Sequence, residues 1–100
     1  MSAYIIFNNR VTDPDGMADY IPKAMETLAP YDPELLVLDE QAQVLEGTPD
    51  FPRMVVIKFK SRSDAEAWYN SAEYGEVRPL RLAATDGVGF LTGQWEAPSA

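Results

Sequence analysis

Arg53-Met54-Val55-Val56-Ile57-Lys58-Phe59-Lys60 is the stretch on which the fold turns. β-branched residues at its centre favour extended backbone, where branched side chains pack on a pleated surface. Successive side chains of a strand point to opposite faces, so Val55, Ile57 and Phe59 share one face and Met54 and Val56 the other. Both faces are therefore apolar, unlike those of a sheet with one solvated side.

Downstream, Ser63-Asp64-Ala65-Glu66 has the capping-box pattern, in which the Ser and Glu side chains each satisfy a free backbone donor. It predicts a helix that packs Ala65, Trp68, Tyr69 and Ala72. Ser71 caps a further helical piece with Tyr74, Val77 and Leu80, interrupted at Pro79 and running to about Thr85. Asp86-Gly87 then turns the chain, and Val88 to Trp95 reads as a strand with Gly89 and Gly93 on one face beside Leu91 and Trp95.

Upstream, Gly47-Thr48-Pro49-Asp50-Phe51-Pro52 is a loop. Before it, Glu34 to Leu38 forms a strand, with a bulged continuation through Gln43-Val44-Leu45-Glu46. Pro30-Tyr31-Asp32-Pro33 ends a helix that Asp13 caps and Pro14 opens, with an apolar stripe of Met17, Tyr20, Ile21, Ala24, Met25 and Leu28. Pro22 predicts a kink or break near Ala18 to Tyr20. Ala3 to Val11 is the first strand.

The order is βαββαβ, the ferredoxin-like plan of an α+β domain: a four-stranded antiparallel sheet with its helices on one face. Residues 1–96 form one domain and 97–100 a flexible tail. Tyr4 and Ile6 join Met54 and Val56 on the face away from the helices, and Leu35 to Leu38 are apolar on both sides. Helices on one side cannot cover all of this, which predicts a homodimer formed through the sheet faces.

Composition narrows the chemistry. Sixteen acids against eight bases give a net charge of -8, which argues against nucleic acid or anionic membranes as partners. Four of the bases, Arg53, Lys58, Lys60 and Arg62, complement the acidic surface. With no Cys and no His, thiolate nucleophiles, Ser-His-Asp triads, histidine-held metals and histidine-bound haem are excluded, so no metal and no cofactor is expected. The first residues have no basic run and only a short apolar stretch, which predicts a cytoplasmic protein.

Trp68-Tyr69-Asn70-Ser71-Ala72-Glu73-Tyr74, followed by Arg78-Pro79-Leu80-Arg81, resembles the signature of domain-of-unknown-function family 1330. Glu46-Gly47 and the step around Phe59 and Ser61 are similar to the same family. The resemblance spans nearly the whole chain. It implies a dimeric α+β barrel, in which two ferredoxin-like subunits pair their sheets and each keeps a cavity between sheet and helices. That superfamily includes cofactor-independent monooxygenases, muconolactone isomerases and haem-degrading enzymes, the last disfavoured here by the missing His. Asp32-Pro33 replaces the customary Gly-Gly before the second strand, and Ala72 stands where a Pro usually follows the Ser.

The candidate ligand-binding residues are Asn8, Arg10, Trp68, Tyr69, Tyr74, Arg78 and Arg81. Trp68 can stack on a flat ligand, although core packing accounts for it first. Tyr69 and Tyr74 offer hydroxyls to a carbonyl or phenol, and packing with a wet tip explains them equally. Asn8 and Arg10, at alternate positions of the first strand, can line a cavity mouth or face solvent. Arg78 and Arg81, three apart, share a helix face and call for an anion or nearby acids between them, with a salt bridge to a carboxylate the first explanation. Glu46 can serve as a general base in an apolar setting, but before Gly47 it reads as a turn.

These readings point to a domain that binds a small aromatic or polyketide-like molecule, with cofactor-independent chemistry of the monooxygenase or isomerase kind as its catalytic form. The alternative is a non-catalytic dimeric structural or regulatory module. A cavity filled by Met54, Phe7 and Trp68 would favour that alternative.

Overall fold

The computed structural model describes residues 1–98. Its elements are β1 (Ala3–Val11), α1 (Pro14–Leu28), β2 (Glu34–Asp39), β3 (Arg53–Phe59), α2 (Arg62–Tyr69), α3 (Ala72–Ala84) and β4 (Thr85–Gly93), with a short 3-10 turn over Ala29–Tyr31. The strands form one antiparallel sheet in the order β2-β3-β1-β4, the ferredoxin-like arrangement. The tail expected at 97–100 falls partly on residues 99–100, which lie outside the described residues.

The alternation of the two central strands sets the core. Ile5 sits opposite Ile57 and Phe7 opposite Val55, and Ala3 pairs with Phe59, all buried beneath the helices. Trp68 and Tyr74 complete this layer, fully buried, with their rings 4.0 Å apart between centroids. The indole Nε1 donates to Thr27 Oγ1 at 3.0 Å, so the one polar atom of Trp68 is satisfied while tying α2 to α1.

Several boundaries differ from the expectations, each for a physical reason. α1 continues through Pro22 because Pro22 and Ala18, whose carbonyl loses its partner, are both exposed to water. α3 likewise passes through Pro79, which is exposed and four residues beyond Gly75. The cap of α2 is Ser61 rather than Ser63, with Ser61 Oγ accepting from the Asp64 amide at 3.1 Å. β2 ends at Asp39 after an irregularity between Leu35 and Val37, so 43–46 is loop.

β4 begins at once after α3, and Asp86-Gly87 belongs to it, paired with Arg10 and Asn9. Gly87 marks a close strand approach rather than a turn: a Cβ there would overlap the Asn8 carbonyl oxygen and Asn9. Among the described residues, Asp32 is the non-glycine residue with positive φ, 46°. That left-handed geometry favours glycine, which fits the glycine expected there from the family resemblance.

On the sheet face away from the core, Ile6, Met54 and Val56 are half-buried and Val37, Val88 and Phe90 exposed, which leaves a continuous apolar surface.

Candidate functional site

The helix layer does not cover the sheet evenly. α1 packs along α3, and β2 is an edge strand, so Leu35 and Leu38 remain about half exposed on the helix-facing side. A cavity of about 400 Å³ opens there, between α1 and the β2–β3 side of the sheet. Its apolar wall includes Met17, Ile21, Ala24, Met25, Leu28 and Leu38, and Trp68 closes its inner end. Asp32 and Pro33 border it, so the departure from Gly-Gly does fall at its rim.

Its polar side chains are few: Tyr20, Arg53 and Arg81 on the wall, and the exposed Asp32, which faces Lys60, at the rim. Arg81 is 7 % exposed, lies with its guanidinium carbon 4.3 Å from the Phe7 ring centroid, and donates through Nε to Tyr74 Oη at 3.2 Å. Tyr74 Oη lies 2.7 Å from Tyr20 Oη, so a chain of hydrogen bonds runs from Arg81 through Tyr74 to the cavity wall. Burial, then Tyr74, pushes the Tyr20 hydroxyl well above the ordinary phenol value, against a smaller pull from Arg81, which leaves it a neutral donor. At Arg81 burial opposes the charge, but Tyr74 and Tyr20 more than offset it, and the guanidinium stays protonated.

The expected buried carboxylate for Arg81 is absent: no acid pairs with it among the described residues. Arg53 is also buried, with Nε 3.3 Å from Glu40 at the surface, which corrects its assignment to the acidic exterior. Across the ladder from Arg53, Asn9 is 2 % exposed and neither of its side-chain amide atoms has a partner among the described residues. A second cavity, of about 310 Å³, lies towards β4 and is lined by Tyr69, Asn70 and Leu91. Phe7 and Arg81 border both cavities and so form the wall between them.

A family model described as a domain of unknown function (DUF1330) matches residues 2–92. The chain belongs to that family. No curated protein matches its sequence. Among solved structures, a protein of unknown function from Rhodopseudomonas palustris is similar at TM-score 0.75, with 14 % identity over 96 % of this chain and 84 % of that one. A dimeric ferredoxin-like protein of unknown function from Thermobifida fusca follows at TM-score 0.61, 15 % identity, 94 % of this chain and 92 % of the other. SnoaB, a cofactor-independent oxygenase from Streptomyces nogalater, gives TM-score 0.60 and 9 % identity over 96 % and 93 %. At these identities the likeness is one of fold.

In this DUF1330 protein the seven sequence candidates do not converge on one place. Trp68 and Arg81 line the first cavity, and Tyr74 stands behind Tyr20. Tyr69 lines the second cavity. Arg78 stacks over Tyr69, 4.9 Å from its ring centroid, and donates to the Tyr69 carbonyl at 3.0 Å, so it fastens the α2–α3 corner instead of sharing a ligand with Arg81. Asn8 and Arg10 point to the far face of the sheet. There Asn8 donates to the Phe51 and Arg53 carbonyls, and Arg10 pairs with Asp50 and Asp86 at 2.8 and 3.0 Å. Glu46 is exposed beside Gly47, whose φ of 83° marks a turn.

Sequence reasoning placed Tyr20 in an apolar stripe and overlooked Arg53 and Asn9 as polar groups of the inner face. The signal was present: Arg53 shares the parity of Val55 and Ile57, and Asn9 that of Ile5 and Phe7.

Proposed function

We propose that the chain binds a small organic molecule of aromatic or polyketide-like type in the cavity between α1 and the sheet, as a homodimer and without a cofactor. One observation carries the reading: an open, mainly apolar cavity whose few polar side chains are Tyr20, Arg53 and Arg81, with Asp32 at the rim. Such a balance of apolar wall and sparse polar anchors is what small-molecule sites use. The filled-core alternative loses its footing, because Met54 lies on the other face of the sheet and Trp68, packed on Tyr74, bounds the cavity at its inner end without filling it. The apolar outer face of the sheet, with Phe90 59 % exposed, supports the dimer, as does the dimeric relative of the same fold.

Turnover without a cofactor is the finer part of the proposal, supported by the shared fold of the cofactor-independent oxygenase. Thermal melting against a panel of small aromatic and polyketide-like compounds tests binding, with light scattering for the assembly. The expected result is stabilisation by a chemically related subset, in a particle of twice the chain mass. A monomer that no compound stabilises would remove the proposal, and bound compounds recovered unchanged after long incubation would remove its catalytic part.

A further inference from the structure

We propose that the molecule held in this cavity carries a carboxylate, received by Arg81 with Arg53 beside it and the Tyr20 hydroxyl as a neutral donor. This rests on the cavity being the binding site and names the class of ligand it takes.

Acids outnumber bases two to one in this chain, sixteen to eight, yet Arg81, one of two buried cations lining the cavity, pairs with none of them among the described residues. Arg10 meets two aspartates and Lys60 faces Asp32, all at the exposed surface, while Arg81 is buried without an acid. Its Nε is satisfied by Tyr74 and one face by the Phe7 ring, whereas its two terminal amino groups have no protein acceptor among the described residues. A guanidinium withdrawn from water without a counter-charge is costly, and its planar fork of donors matches a carboxylate. Arg53 adds a second guanidinium to the cavity lining, bonded through Nε to Glu40, while its terminal nitrogens pair with no acid among the described residues. Apart from Asp32 at the exposed rim, where Lys60 faces it, the remaining wall is apolar, so the body of the ligand is apolar too and its charge is placed at the Arg81 end. The hydrogen-bond chain holds Tyr20 in place at that end, where its neutral phenol can donate to a carboxylate oxygen.

The test is a matched pair of probes, 4-phenylbutyrate and 4-phenylbutyramide, titrated calorimetrically into the purified protein. The two differ in charge and hardly in shape. The acid should bind roughly tenfold or more tightly than the amide, the usual margin for a charge-assisted pair. Arg81→Gln should bring the acid down to the amide, with Arg81→Lys in between, and circular dichroism should report whether each variant folds. Leu38→Trp, which fills the cavity, should abolish both. Equal binding of the two probes by the unaltered protein overturns the carboxylate and leaves the cavity reading standing. Failure of both probes to bind at millimolar concentration overturns the two together. Retained acid binding in Leu38→Trp would place the anion on the β4 side of Arg81 and also overturn the proposal.

Discussion

The two halves of the helix-facing layer are built from similar residues and end in different states. Over β1 and the end of β3, Ile5, Phe59, Trp68 and Tyr74 are sealed. Over β2, Leu35 and Leu38 face α1 across an open space, and Ile21 and Met25 of α1 are 42 % and 57 % exposed. Apolar side chains alone therefore do not make a core. The sealed half has α2 and α3 above it and strands on both sides, whereas the open half runs out to the edge strand β2 and has above it one helix that leans on α3. Close packing requires neighbours on all sides, and an edge supplies them on fewer.

The sharpest way to break this contrast is Trp68→Ala. In the sealed half it should cost about 3–5 kcal/mol, read from denaturant unfolding, because it vacates a large volume and removes the indole donor to the Thr27 hydroxyl. A loss below about 1 kcal/mol would mean that the aromatic layer is not sealed. Gly87→Ala probes whether the closed half extends to β4. The added methyl would collide with the β1 backbone at Asn8 and Asn9, and a loss of about 1–3 kcal/mol is expected.

Tyr20 joins the two halves, and its titration sharpens the boundary between them. Its folded pKa is raised, so its contribution is fully present below the unfolded value of about 10 and is lost as pH rises towards the folded value, since the unfolded chain gives up the proton first. Stability should therefore fall between pH 10 and 11 by about 1 kcal/mol more in the native protein than in Tyr20→Phe. Parallel pH profiles would show that the phenol is not sealed in. The smallest effect belongs to the open half: Leu38→Ala should change stability by less than about 1 kcal/mol. A loss as large as that of Trp68→Ala would show that something covers β2 in solution.

Periodicity made much of the scaffold legible. The limits of β1, the Asp13 cap with Pro14 behind it, and the opposed faces of β1 and β3 follow from neighbours a few residues apart. Prolines misled, because Pro22 and Pro79 signal a break only where the freed carbonyl cannot reach water, and exposure is not a local property. The site was less legible. Arg81 stood out as a cation in the family signature, but Tyr20 looked like one more residue of an apolar stripe, and Arg53 like one base in a surface cluster.

Sequence by itself determined the order of elements, the α+β plan, the apolar excess on both faces of the sheet, and the lack of imidazole and thiol side chains. These depend on composition and on patterns with periods of two or about 3.6 residues. Tertiary structure alone decided that Tyr20 meets Tyr74 across 54 positions of chain, that Arg81 lies on Phe7 with no acid paired to it among the described residues, and that α1 leans on α3 and leaves β2 uncovered. Such pairings arise where elements cross, and the angle and offset of a crossing are set by the fit of whole surfaces, which no short window of residues contains.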